Sequence, residues 1–475
     1  MLTRLEVDGF KSLLGLEVSF GPFTCIAGPN GVGKSNVFDA IQFLSFLADN
    51  EIMKAAQMVR STEGRGADPR ELFWTDGVES ASHLSFAVEM IVPRVVRDDF
   101  GRETKPTTSF LRYEVKLGYE KPSGMGHLGR LVLREERLNY IKRGDAHDHL
   151  KWEHDKKRFR DHVVVGERRG KAFISTEVES DGQRTIKVHQ DGGSRGQPRS
   201  SPADTAPRTI VCTTTTASDP TILAARREMQ SWKLIALEPS AMRSPDPFSA
   251  LPYVQANGAH LAATLYRQAT GSGAGGELAA DRVYNEVASR LTDLIEATAV
   301  RVDRDDRREL LTLEVKQAGG GFLPARSLSD GTLRFLALCV LDNDPRVEGL
   351  LCMEEPENGI HPERMVAMVD LVRGLAVDPN SEPGDDNPFR QVIVNTHSPA
   401  FVQLQNPEDL LFAKPVTVRG LSGKPARTMR LLPLRETWRT RAGHERGVGR
   451  AEILAYLTSP PGTQLTIDDM MGDSP

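Results

Sequence analysis

Nowhere in the 475 residues does an apolar run approach the roughly 20 that a membrane-spanning helix needs. The opening Met-Leu-Thr-Arg-Leu-Glu-Val-Asp also lacks the apolar region of a signal peptide. Both absences argue against a membrane and leave the cytoplasm as the expected location. There are only four cysteines, Cys25, Cys212, Cys339 and Cys352, and no two form a C-x-x-C pair. Such spacing argues against a disulfide scaffold or a thiolate metal centre and points to reduced core residues. No segment repeats at a period of about 20–50 residues, which excludes a solenoid. No heptad run is sustained, which excludes a long coiled-coil arm.

What is present is an ordinary globular composition, 39% hydrophobic and 26% charged, on a chain long enough for two or three domains. The net charge of −5 is unevenly spread. Residues 121–200 hold 18 Lys and Arg against 12 Asp and Glu, an excess of +6, so the rest of the chain is strongly acidic. Two readings stand for that stretch: a solvated, irregular insert, or a surface for an anionic partner such as DNA or RNA.

Residues 2–8 and 15–27 pattern as strands, and the second ends in the apolar run Phe23–Ala27. A Gly-rich turn and a helix from Lys34 to about Leu47 follow. Alternating β-type patterns at 83–92, 108–119, 130–142, 163–178 and 184–189 predict an antiparallel meander. Residues 190–208, rich in Gly, Ser and Pro, read as a loop or linker, and 271–276 (GSGAGG) as a flexible break. Helices are predicted at 219–232, 255–270, 281–298, 330–341 and 362–375, and strands at 310–316, 349–353 and 391–395. Strands alternating with helices indicate a parallel sheet, so the fold class is α/β.

Four segments carry chemistry. Gly28-Pro29-Asn30-Gly31-Val32-Gly33-Lys34-Ser35-Asn36 fits G-x-x-x-x-G-K-[ST] between a strand and a helix, the context a P-loop needs. Its glycines let backbone N–H groups curl around phosphates at a helix N-terminus. Lys34 can reach the β- and γ-phosphates of ATP, and Ser35 can ligate Mg²⁺. Leu350–Met353 is an apolar strand ending in Glu354 and Glu355. Adjacent strand residues face opposite ways, so Glu354 can serve Mg²⁺ while Glu355 polarises an attacking water. Alone, such a pair is usually a strand end meeting solvent; beside a P-loop it reads as functional. Leu328-Ser329-Asp330-Gly331-Thr332 opens a helix, with Ser329 as N-cap and Gly331 allowing close approach to an anion. A lone LSDG would be a simple cap, but this one lies about twenty residues before the paired glutamates. The strand Val392–Asn395 ends in Thr396-His397-Ser398, placing His397 where a group facing the γ-phosphate is expected.

In this order the segments resemble the Walker A, signature, Walker B and switch-histidine motifs of ABC-type ATPases. With Gly9-Phe10-Lys11-Ser12, EEPENGIHP at 354–362 and NTHSPA at 395–400, the chain looks most like the RecF/SMC-related branch. Within it, the chain is similar to stand-alone prokaryotic AAA-labelled ATPases akin to OLD-type and PtuA-like defence proteins. The likeness covers 1–48 and about 320–402. The stretch 219–300 matches only through LEPSAMR at 237–243 and the helix after Asn257, and 121–210 and 415–475 match nothing. Two departures stand out: Glu354 replaces the usual Walker B Asp, and Asp330 the signature's second Gly. No Q-loop glutamine is evident, Gln42 being on the first helix.

The resemblance implies an ABC-type ATPase head with a P-loop sheet, an antiparallel β region and a helical insert. Its expected parts are an N-terminal part of the head (1–120), a basic β-rich insert and loop (121–210), a helical insert (211–305), a C-terminal part of the head (306–415) and an extension (416–475). The implied mechanism is a head-to-tail homodimer, with room for a higher oligomer. ATP·Mg²⁺ would sit on Lys34 and Ser35 of one subunit, against Ser329 and Gly331 of the other. Glu355 and His397 would be catalytic, and Glu354 and Ser35 the metal ligands. The relatives further suggest a separately encoded effector, such as a nuclease, in bacterial anti-phage defence. The alternative is a RecF-like DNA repair or recombination ATPase. A transporter subunit fits poorly because of the long insert between P-loop and signature. The TOPRIM nuclease domain of OLD-type proteins has no counterpart in 401–475, which is short for one and shows no D-x-D cluster.

Two further clusters carry a weaker signal. His147, His149, His154 and His162 fit no zinc spacing and read as a solvated loop. Lys156-Lys157-Arg158, with Phe159 and Trp152 nearby, offers phosphate charge and stacking to a nucleic acid, or else a solvated turn.

Overall fold

The computed structural model describes residues 1–59, 68–121, 129–166, 170–180, 182–191, 196–271, 276–441 and 447–458. Residues 272–275 of the expected break at 271–276, and the last 17 residues of the extension, lie outside these. The chain divides into two compact units: 1–233 with 378–383 and 407–475, and 234–377 with 384–406.

The first unit is built on an eight-stranded antiparallel sheet. Its strands are β1 (Leu2–Asp8), β2 (Leu16–Ser19), β4 (His83–Ile91), β5 (Phe110–Glu120), β6 (Arg130–Tyr140), β7 (Ile174–Val178), β8 (Arg184–Val188) and β9 (Arg199–Pro202), with β3 (Phe23–Ala27) outside this sheet. They lie in the order β9-β8-β7-β6-β5-β4-β1-β2. Period-2 alternation sets the faces: Leu5, Val7, Phe86, Tyr113 and Val115 are buried, whereas Arg4, Glu6, Arg112 and Glu114 face outward. These charges form one network, in which Arg112 binds Glu6, Glu114 and the buried Glu89.

On the buried side lies helix α1 (Lys34–Leu47). Phe43 on α1, Phe10 of the Gly-Phe-Lys-Ser turn and Phe86 of β4 form an aromatic trio with centroids 5.4–6.0 Å apart, packing that stabilises beyond the area it buries. At the far end of α1, the buried Arg226 of α2 (Pro220–Gln230) donates to the carbonyl of Ala48 and pairs with Asp49. A cation there complements the negative end of the helix dipole.

Several sequence expectations need correction. Residues 190–208 are not wholly loop: Arg199–Pro202 pairs antiparallel with β8 as an edge strand. Among the described residues of 163–178 only Ile174–Val178 is extended, and Asp161–Val163 closes a helical turn. The sheet also runs without interruption from β5 into β6, with a bulge at Lys116/Leu117. Residues 130–140 therefore continue the N-terminal architecture.

The second unit contains α3 (Leu261–Gly271) and α4 (Gly276–Leu291). An antiparallel group follows, β10 (Ala297–Asp305), β11 (Leu310–Gln317) and β12 (Phe322–Pro324). The helix expected over 281–298 thus stops at Leu291, and the β-branched run after it forms β10. Next come α5 (Asp330–Asp342), β13 (Gly349–Glu354), α6 (Met365–Gly374) and β14 (Arg390–Thr396). β13 and β14 pair in parallel, Leu351 opposite Val392 and Glu354 opposite Asn395. Both strands are buried almost throughout, as parallel strands covered on both faces are.

The chain then returns to the first unit with β15 (Leu410–Arg419) and β16 (Pro425–Pro433). β15 pairs in parallel with β3 through Leu410–Phe412 and antiparallel with β16 along its length. Residues 416–419 and 425–433 of the expected extension thus lie in the same sheet as the P-loop strand. None of the four cysteines forms a disulfide, and all four are buried. Among the described residues no helix is long and apolar enough to cross a membrane.

Candidate functional site

In the first unit, β3 delivers the chain into the loop Gly28–Gly33 and α1 carries it away. Gly31 and Gly33 have φ of +76° and +106°, a region costly for residues with a Cβ. A Cβ on Gly33 would meet Ser12 Oγ at 2.3 Å, and one on Gly28 would meet the carbonyl of Ala413 on β15 at 2.9 Å. The Lys34 ammonium is folded back into the loop and donates to the carbonyls of Gly28 and Pro29 at 2.7 and 2.8 Å. The first turn of α1 contains no acidic residue and no side-chain cap. Positive helix-end potential, an inward ammonium and glycine-permitted backbone form a donor set suited to phosphate. Ser35 and Asn36 lie on that first turn, and Asn30 and Val32 in the loop.

The Gly-Phe-Lys-Ser turn, which sequence patterns alone gave no role, braces this loop. Lys11, at φ +47°, pairs at 2.7 Å with Asp39, a fully buried carboxylate on α1. Ser12 Oγ accepts from Asn36 Nδ2 at 2.7 Å. Removing Lys11 alone would take an ion-pair partner from a buried carboxylate, which destabilises the fold.

In the second unit, β13 and β14 bring their C-terminal residues together. Asn395 Nδ2 reaches Glu354 Oε1 at 3.4 Å. Glu355 follows with φ +46°, its N–H donating to the Asn395 carbonyl at 3.0 Å. This left-handed step turns its side chain away from the strand line. His397 Nδ1 lies 2.5 Å from Glu355 Oε1, and Asn358 Nδ2 donates to Oε2 at 2.8 Å. The Thr396 hydroxyl donates to the buried Glu357, whose carboxyl burial pushes upward. Sequence reasoning missed Asn358 and Glu357, although both sit inside the quoted EEPENGIHP run.

The signature segment is in the same unit. Ser329 caps α5, its Oγ accepting from Thr332 N at 3.2 Å, a contact worth about 1 kcal/mol. Gly331 packs so closely that a Cβ would sit 2.3 Å from the Gly359 carbonyl. Arg243, the last residue of LEPSAMR, donates to the Leu328 carbonyl at 3.1 Å and to Asp330 at 2.5 Å. That loosely matched segment thus holds the signature turn. Glu354, Glu355, His397, Ser329 and Gly331 all belong to the second unit, and residues 30–36 to the first.

The other clusters resolve differently. His149 binds Glu89, His154 the Trp152 carbonyl and His162 Glu382. Among the described residues no group of three or more His, Cys, Asp or Glu is arranged to hold a metal. Trp152 and Phe159 are 5% and 0% exposed and pack edge to face. They form a small local core and offer no stacking face to a base. Lys156, Lys157 and Arg158 remain exposed, on a helical turn capped by Asp155. Elsewhere in the basic stretch, Arg130, Arg134, Arg184, Lys187 and Arg199 each pair with a carboxylate.

Comparisons with known proteins agree with this division of motifs between the chain's two ends. A family model described as "AAA domain, putative AbiEii toxin, Type IV TA system" matches residues 274–403, and one described as "AAA domain" matches 4–121. Structural maintenance of chromosomes protein 1 of Schizosaccharomyces pombe is 33% identical over 125 residues, 26% of this chain and 8% of that protein. DNA replication and repair protein RecF of Parabacteroides distasonis is 38% identical over 64 residues, 13% of this chain and 18% of that protein. The chain therefore spans only a small part of these relatives. A crystal structure of an Smc head bound to the C-winged helix domain of ScpA aligns over 92% of this chain and 98% of its own. Its TM-score is 0.45 at 14% identity.

Proposed function

This chain belongs to the ABC-type ATPases of the RecF/SMC-related branch, and from that premise we propose that it hydrolyses ATP in a nucleotide-clamped homodimer that regulates a DNA-linked effector. The observation that carries the ATPase reading is Glu355. Its carboxylate is held on one oxygen by His397 and on the other by Asn358, at the end of a buried strand. That is how a proton acceptor is fixed before reaction. In this reading Lys34 and the backbone of residues 30–36 bind the phosphates, Glu355 takes the proton of the attacking water, and His397 orients Glu355 and meets the γ-phosphate. Ser35 and Glu354 would be the protein ligands of Mg²⁺. When bound, the ion neutralises charge on the phosphate oxygens; two ligands suit it, since Mg²⁺ usually completes its shell with phosphate and water.

Ser329 and Gly331 would meet the nucleotide of a second copy, closing two composite sites about a two-fold axis. The defence setting draws on the resemblance to OLD-type and PtuA-like proteins and is compatible with the AbiEii description of the matched model. It implies a separately encoded effector, such as a nuclease. The tests are Mg²⁺-dependent ATP turnover by purified protein, and phage challenge of cells carrying the chain with its neighbouring genes. Protection lost in Lys34→Ala supports the defence role. ATP turnover without protection, joined to sensitivity to DNA damage when the gene is deleted, would favour the RecF-like repair reading.

A further inference from the structure

The guanidinium of Arg334 joins three segments of the second unit. Arg334 lies on α5, one turn after Ser329 and Gly331. Its Nη1 donates to the carbonyl of Asn358, and its Nε to the carbonyl of Leu237 at 3.4 Å. Asn358 in turn donates its side-chain amide to Glu355 Oε2. Beside this chain of contacts, Gly331 rests on Gly359, and Ile360 Cδ1 closes the same seam. Asn358 is itself exposed and lies in a tight turn, its N–H donating to the Glu355 carbonyl. The Arg334 contact and the Gly331–Gly359 packing thus hold the backbone of this turn, from which the Asn358 side chain reaches Glu355.

We propose that Arg334 is a positioning residue: through Asn358 it fixes the carboxylate of Glu355 to the signature helix of the same chain. The inference rests on the reading of Glu355 as the base. It adds that the helix whose first turn would touch one nucleotide also holds the base that acts on the other. A guanidinium suits this role because its planar fork serves two carbonyls at once, which a lysine ammonium on a flexible stem does less well.

The experiment is a double-mutant cycle on ATP turnover by the full chain, with nucleotide affinity and melting temperature measured alongside. Asn358→Ala removes a hydrogen bond to a charged group and should lower kcat by about 10- to 100-fold, with KM for ATP unchanged. Asn358→Asp, the same size but without the donor, should lose at least as much. Arg334→Met should lower kcat by about tenfold at unchanged KM, and Arg334→Lys should recover part of that loss. The double variant should fall no further than Asn358→Ala alone, because both act through one contact chain. Losses that multiply, or an Asn358→Asp variant as fast as wild type, would overturn the proposal. If Arg334→Met does not fold, the exposed Asn358 variants carry the test alone. A Glu355→Gln chain that turns over normally would instead sink the underlying reading of the base, so the two failures are separable.

Discussion

His397 Nδ1 lies 2.5 Å from Glu355 Oε1, joining the ends of the neighbouring parallel strands β14 and β13. A histidine so placed fixes where a carboxylate aims, and its own ring is fixed in return. Glu355→Gln should bind ATP yet lose turnover by about 100-fold or more, because an amide cannot accept the water's proton. His397→Ala should lower kcat by a smaller factor, about 10- to 100-fold, with KM little changed. Lys34→Ala should fail at binding itself, which equilibrium titration with a fluorescent ATP analogue would report. Wild-type turnover by Glu355→Gln would contradict the assignment of the base.

The motifs at the two chain ends were legible because their geometry is local. A strand, a Gly-rich turn and a helix N-terminus are specified by ten consecutive residues, and so is a buried strand ending in carboxylates. What was not legible depends on distant partners. Asn358 matters because Arg334 lies opposite it, and Arg243 because the signature turn does. The strand Leu410–Arg419 was hidden by Pro415, which ordinarily argues against a sheet interior. Pro415 is tolerated because only Leu410–Phe412 pair with β3 on that side. The base-stacking role weighed for Trp152 and Phe159 failed for a similar reason. Nothing in KWEHDKKRF shows that its two aromatics pack on each other.

Assembly can be tested by complementation. If the signature acts across a dimer, Lys34→Ala chains and Ser329→Arg chains are each inactive alone. Mixed, they should recover one intact composite site per heterodimer, and so at most about half of the wild-type rate when every dimer is mixed. ATPase activity on titrating one variant into the other would show it. No recovery at any ratio, with dimers present by sedimentation, would argue that the signature serves its own chain's nucleotide.

Lys156, Lys157 and Arg158 form an exposed triad of consecutive cations on a turn capped by Asp155. If DNA or RNA binds there, reversing all three to Glu should weaken binding across sequences and lower the salt dependence of the affinity, by up to about three phosphate contacts. ATP hydrolysis without nucleic acid should persist, since the triad lies outside every nucleotide motif. Unchanged nucleic-acid affinity in fluorescence anisotropy at two salt concentrations would remove the triad from any such interface.

The contribution of one buried carboxyl to stability should fall as pH rises across the mildly acidic range. Glu136 lies on the buried face of β6 with none of its surface exposed. Burial pushes its carboxyl up to about 7, even though the N–H groups of Ile210 and Val211 and the Tyr113 hydroxyl donate to it. Folded Glu136 thus holds its proton more tightly than the unfolded chain does. The unfolded chain releases that proton near the ordinary 4.5. Its contribution is therefore fully present below about pH 4.5 and is lost as pH rises through about 7, by at most about 3 kcal/mol. Glu136→Gln, which stays neutral, should be relatively more stable at pH 8 than at pH 5 when both proteins are unfolded in urea. The signal is the difference between wild type and variant, because histidines titrating over the same range contribute to both. A difference that does not change between pH 5 and pH 8 would mean that the Ile210 and Val211 amides already hold the carboxylate ionised, and that burial is not the dominant influence on Glu136.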